Sequence, residues 1–301
     1  MKNTGFSEIT TERLYYNSQD PWYMEVAITG RCNFSCKYCN RFNNDIDLAK
    51  LTSFIQNNQF RHIQITGGEP TVHNQFFEIM NLCRSKTKKL GLSTNGTFGI
   101  DNYLKSQADM FSVSLDDYDM DILKNRGYNS PEKIVDTIKQ LVKYKYVNIG
   151  LVIDSLNIDR IESIVDFILS LGVNDIKLST STKDQLIPKF KKDYIKYPIL
   201  NYRVQNFKDG KQMRGNACKK CYIASSDVTI VGDSHYPCLT YFREKGTAIG
   251  KVNNDLMKDR IVWMNEHDCS KDDICQKYCM DFKCEFNRAR TEIVCQSNKS
   301  L

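Results

Sequence analysis

Between Trp22 and about Thr180, short apolar or β-branched runs alternate with helix-length amphipathic segments, an order that confines the chain to βα units on a parallel sheet. Six strands are expected, at Tyr23 to Thr29, His62 to Thr66, Lys89 to Ser93, Met110 to Leu115, Val147 to Ile153 and Asp175 to Leu178. The helices between them are expected at Leu48 to Asn57, Asn74 to Ser85, Ile100 to Gln107, Pro131 to Tyr144 and Asp159 to Leu171. Asn129-Ser130 ahead of Pro131 reads as a cap with proline at the first helical position. Parallel βα architectures gather their site residues where the strands end. Here the strand ends carry a cysteine loop, Gly67-Gly68-Glu69-Pro70, Thr94-Asn95-Gly96, Asp116 and Asp154-Ser155, so the chemistry falls on one face.

The cysteine loop runs from Arg31 to Asn40, with Cys32, Cys36 and Cys39 separated by three and then two residues. Three thiolates at one point, with no fourth cysteine nearby, suit an iron-sulfur cluster in which one iron lacks a protein ligand. The alternative is a structural zinc site, which ordinarily takes four ligands from paired knuckles. CxxxCxxC with Tyr38 before the last cysteine, joined to Gly67-Gly68-Glu69-Pro70 at the next strand end, resembles the radical S-adenosylmethionine (SAM) superfamily.

That resemblance implies an α/β fold with a partial (β/α)6 barrel core. It implies that Cys32, Cys36 and Cys39 hold a [4Fe-4S] cluster whose fourth iron binds SAM, and that SAM is cleaved reductively to methionine and a 5'-deoxyadenosyl radical that takes a substrate hydrogen. It places Tyr38 near the adenine, Gly67 and Gly68 where backbone approaches SAM, and Glu69 as acceptor from the SAM ammonium. Ser93 and Asn95 line its methionine end, Ser114 and Asp116 face the ribose, and Arg126 pairs with its carboxylate. Ordinary readings stay open beside these: loop packing for Tyr38, turn chemistry for Asn95-Gly96, and a surface helix for Arg126. Cys83, alone on the apolar face of an expected helix, reads as core.

Twelve cysteines in a chain with no signal-peptide pattern argue for metal in a reducing cytoplasm, not for disulfides. A net charge of +6, spread without a basic run, does not indicate nucleic acid, and no apolar stretch suggests a membrane span. Four regions are expected: an N-terminal segment 1–21, the barrel core 22–182, a linker 183–214, and a cysteine-rich part 215–301. In this last part Asp227 to Val231 and His235 to Pro237 flank Gly232-Asp233, a hairpin that delivers Cys238, and a short helix is expected at Asp255 to Asn265.

The tail's eight cysteines run Cys218-x2-Cys221-x16-Cys238, then Cys269-x5-Cys275-x3-Cys279, then Cys284 and Cys295. The pattern resembles the SPASM/twitch extension of radical SAM enzymes, which binds auxiliary iron-sulfur clusters. It departs from it at Glu266, where a cysteine is expected, and in the added Cys284. The resemblance assigns Cys218, Cys221, Cys238 and Cys279 to a first auxiliary cluster, leaving Cys269, Cys275, Cys284 and Cys295 for a second. One auxiliary cluster with spare or zinc-binding thiols is the alternative.

Enzymes with this extension most often modify a ribosomally made peptide by crosslinking, epimerisation or oxidation, and that is the expected work here, with an external flavodoxin- or ferredoxin-type electron donor. A sugar or aminocyclitol dehydrogenase or epimerase is the alternative, and a non-catalytic electron carrier or metal-stapled protein is a third reading. Cys284 would be the hydrogen donor if it is not a ligand. Asp184 and Asp233 are not distinguishable from surface carboxylates, so no base is assigned.

Overall fold

The computed structural model describes residues 11–15, 21–39, 42–181, 186–215 and 217–297. Asp184 and most of residues 1–20 therefore lie outside the described residues. The six expected strands form, as β1 (Tyr23–Ala27), β2 (Phe60–Thr66), β3 (Thr87–Thr94), β4 (Met110–Ser114), β5 (Tyr146–Ile153) and β6 (Asp175–Thr180). Each pairs in parallel with the next, and the sheet does not close.

Alternation within the strands explains which side faces what. In β1 and β2 the outward residues Met24, Val26, Ile63 and Ile65 are fully buried, and Leu90, Leu92, Phe111 and Val113 continue that layer in β3 and β4. They pack beneath the helices Leu48–Gln56, Phe76–Arg84, Ile100–Lys105, Pro131–Leu141 and Ile161–Ser170, in a core that also takes Cys83, as expected. The inward positions Glu25, Gln64, Ser93, Ser112, Gly150 and Lys177 are polar or small and line a cavity. A sheet that is apolar on one face and polar on the other leaves room for a ligand where a closed barrel would pack side chains.

Four features differ from expectation. Ser130 does not cap its helix through its side chain: it stands in the left-handed region at φ 53°, and Pro131 alone marks the start. Within the expected linker lies the helix Pro198–Lys208, whose first turn is anchored when the amides of Ile199 and Leu200 donate to the Asp175 carboxylate at 2.9 and 3.0 Å. The tail hairpin forms as β7 (Asp227–Val231) and β8 (Ser234–Tyr236), with β9 (Gly250–Lys251) beside it, and it extends the core sheet, because β7 pairs in parallel with β1 from Tyr23↔Asp227 to Ala27↔Val231. A final helix, Asp281–Ser297, also escaped the sequence reading.

Candidate functional site

The cysteine loop is fixed by backbone contacts to two other strand-end segments. On one side Gly68 N donates to Thr29 O at 2.7 Å and Glu69 N to Arg31 O at 2.8 Å. On the other, Ser35 N donates to Gly127 O at 2.9 Å and Lys37 N to Arg126 O at 3.1 Å. Both contacts require glycine. A Cβ on Gly68 would sit 2.3 Å from Arg31 O, and one on Gly127, at φ +98°, would sit 2.4 Å from Ser35 O.

Beside the loop lies a cavity of about 410 Å³, lined by Cys32, Cys36, Cys39 and Tyr38 and by Gly67, Gly68, Ser93, Asn95, Ser114 and Asp116. Its volume is that of a small-molecule site. Burial, with Asp116, Cys39 and Cys32 nearby, pushes the Cys36 thiol up to about 12. The three thiols open onto one cavity, and the glycine-lined wall admits a ligand beside them. The residues present therefore fit a metal cluster with a small molecule bound beside it.

Glu69 and Arg126 do not line the cavity, and Asp116, which does, is tied down from behind. Glu69 is fully buried, and its carboxylate already accepts from Thr71 Oγ1 (2.7 Å), Thr71 N (3.2 Å), Thr94 Oγ1 (2.8 Å) and Asn95 N (2.6 Å), so it ties the end of β2 to the end of β3. Asp116 accepts from Tyr38 Oη (2.5 Å), Tyr128 Oη (2.9 Å), Arg126 Nη1 (2.9 Å) and Val152 N (2.8 Å), which fills its acceptor sites. Arg126 is not on a surface: it is 1% exposed, bridges Asp116 and Asp154, and lies 5.8 Å from the Tyr38 ring centre. These side chains hold Tyr38 and the loop in place. Gln64 and Tyr128 were missed by the sequence reading, although polar residues alternating inside β2 and β4 are a usable signal for a polar lumen.

In the tail, Cys218, Cys221, Cys238, Cys269, Cys275 and Cys279 surround a second, small cavity of about 30 Å³. Cys238 is presented by the hairpin, whose far end is clamped by the buried Arg260 donating to Ala224 O (2.8 Å), Tyr236 O (2.6 Å) and Pro237 O (3.2 Å). Cys284 is 1% exposed, touches Cys279, and donates to Gly215 O at 3.4 Å. It does not line the cavity at the cysteine loop, so it is not placed to give a hydrogen atom there. Cys295 is exposed on the last helix and does not line the small cavity. Among the described residues no helix is long and apolar enough to cross a membrane.

A strand-end cysteine triad opens onto a glycine-lined cavity on an open parallel sheet, a donor set and a space that suit a metal cluster with a small molecule beside it. The Radical SAM superfamily profile matches residues 26–168, a match that implies a [4Fe-4S] cluster and SAM as cofactors. Similar sequences include the tungsten-containing aldehyde ferredoxin oxidoreductase cofactor-modifying protein of Pyrococcus furiosus, 28% identical over 52% of this chain and 51% of that protein. A probable GTP 3',8-cyclase of Methanococcus aeolicus is 27% identical over 50% of this chain and 56% of its own length. The chain thus spans about half the length of these relatives. In fold it is similar to anSMEcpe with bound AdoMet, at TM-score 0.60 and 18% identity over 90% of this chain and 96% of that one. It is also similar to Streptococcus suis SuiB bound to the precursor peptide SuiA, at 0.59 and 16% over 82% and 65%.

Proposed function

We propose that this protein is a radical SAM enzyme that modifies a peptide. The observation that carries the reading is the opening of Cys32, Cys36 and Cys39 onto the glycine-lined cavity at the strand ends. When bound, the cluster supplies an electron to SAM, which yields methionine and a 5'-deoxyadenosyl radical able to take a hydrogen atom from substrate. The chain's own part is positional. Glu69 and Gly127 fix the loop, Asp116 and Arg126 orient Tyr38, and the polar lumen from Glu25 to Lys177 receives the substrate.

The peptide substrate is supported by the fold similarity to SuiB and anSMEcpe, both solved with bound peptides. The relatives named as GTP cyclases favour a small-molecule substrate as the second reading, and Lys177 and Arg243 in the cavity wall suit an anionic one. A flavodoxin- or ferredoxin-type donor delivers the electron. Twelve cysteines, none in a disulfide, fit a reducing cytoplasm. At least four of the tail thiols hold one auxiliary iron-sulfur cluster.

Anaerobically reconstituted protein given a strong reductant and SAM is expected to form 5'-deoxyadenosine. Alanine at Cys32, Cys36 and Cys39 together should abolish that product and remove about four irons while the tail keeps its metal. Full cleavage by the triple variant would refute the assignment. Turnover of a short peptide encoded beside this gene, set against turnover of nucleotides and sugars, separates the two substrate readings.

A further inference from the structure

The small tail cavity has a neighbour that is not a cysteine. His267 lies with one ring nitrogen, the Cys269 Sγ and the Cys275 Sγ all within 4.8 Å of one another. Cys221 is in hydrogen-bond contact with Cys269 as well. The imidazole is held in place: it stacks on Trp263 with centroids 4.2 Å apart and planes 15° apart, and Nε2 is 3.3 Å from Asp272 Oδ2. Asp272 is itself fixed by Tyr241 Oη at 2.9 Å and Cys275 N at 2.8 Å.

Donor spacing decides what such a site takes. A tetrahedral ion with metal-sulfur bonds of about 2.3 Å sets its donors about 3.8 Å apart, and the His267, Cys269 and Cys275 donor atoms all lie within 4.8 Å of one another. Counting agrees. With Cys295 exposed elsewhere, seven tail thiols and His267 make two sets of four. One set is Cys221, His267, Cys269 and Cys275. The other is Cys218, Cys238, Cys279 and Cys284, in which Cys279 touches Cys284 and Cys218 Sγ approaches Cys284 O at 3.6 Å.

We propose that Cys221, His267, Cys269 and Cys275 form a Cys3His site for a single zinc ion, separate from the auxiliary cluster held by the other four thiols. A closed Cys3His set is a structural zinc donor set. The ion would brace the turn between the helices Leu256–Glu266 and Asp273–Tyr278 against the segment carrying Cys221.

Full-length protein purified in air, where its iron clusters are lost, should retain one zinc per chain. His267→Ala should weaken zinc against a chelator by more than about 100-fold, since even outer-layer partners are worth about 10–100-fold. His267→Cys should keep the ion and shift the visible bands of the cobalt-substituted protein toward those of a four-sulfur site, which a purely structural histidine would not do. Anaerobic protein should hold about eight irons, and His267→Ala should leave that number unchanged. Zinc binding indifferent to His267→Ala, an unshifted cobalt spectrum, or loss of four irons with no zinc present would each overturn the proposal. None of these readouts depends on SAM cleavage, so the enzyme reading stands or falls apart from it.

Discussion

Replacing Arg126 by alanine is expected to destabilise the protein by about 3–5 kcal/mol, the range for removing one partner of a buried ion pair. The guanidinium and the Asp116 side chain are each 1% exposed, and Asp154 is 13% exposed, so the variant leaves two carboxylates without their counter-charge. Burial already raises Asp116, with Arg126 the chief influence pulling it back. Without Arg126 it rises further, and the folded state then binds a proton that the unfolded state has lost. Stability gained that way is present at low pH and disappears as pH rises through the raised value. The deficit of Arg126→Ala against the parent should therefore be larger at high pH than at low pH. Urea midpoints of both proteins at pH 5 and pH 8 measure this, and an equal deficit at the two would show that Asp116 keeps its charge. Arg126→Lys should recover only part of the loss, because one ammonium cannot bridge both carboxylates as the guanidinium does.

Gly127→Ala is expected to act on the cluster site with little effect on the tail. The left-handed backbone costs an alanine about 1–2 kcal/mol, and its Cβ would fall 2.4 Å from Ser35 O. Relief requires the loop at Ser35 and Cys36 to move away from Gly127, breaking the Ser35 N bond to Gly127 O. The three thiols then no longer converge. Reconstituted Gly127→Ala should bind markedly less iron at the barrel and form 5'-deoxyadenosine at least about tenfold more slowly, as a displacement near 1 Å can cost about 100-fold. Its tail metal should be retained. Parent-like cleavage by this variant would mean that the loop holds its shape without the contact.

Strand and helix positions in the core were legible because each strand alternates an apolar residue for the helices with a polar one for the lumen, and Gly-Gly and Cys motifs mark the strand ends. Roles were harder to read than positions. Glu69, Asp116 and Arg126 carry the right chemistry for ligand contacts, and only three-dimensional packing shows Glu69 bonded to Thr71 and Asn95, Asp116 to Tyr38 and Val152, and Arg126 to Asp116 and Asp154. Asp227 to Val231 was recognisable as a strand, but nothing local says that its neighbour is β1, some 200 residues earlier. His267 gave no signal because a single histidine has no spacing of its own; it gains meaning only beside Cys269 and Cys275.

The pairing of β7 with β1 also bears on how the polypeptide can be divided. β1 carries the cysteine loop at its end, and along Tyr23–Ala27 its second edge is covered by residues contributed from the cysteine-rich part. Cutting the chain ahead of that part would uncover five residues of strand edge directly beneath the cluster loop, an open template for pairing with other molecules. The half that carries the cysteine loop is therefore a poor candidate for isolation. In the intact protein the same pairing makes the Cys238 hairpin an extension of the sheet that carries Cys32, so the two cysteine-bearing regions stand on one continuous sheet.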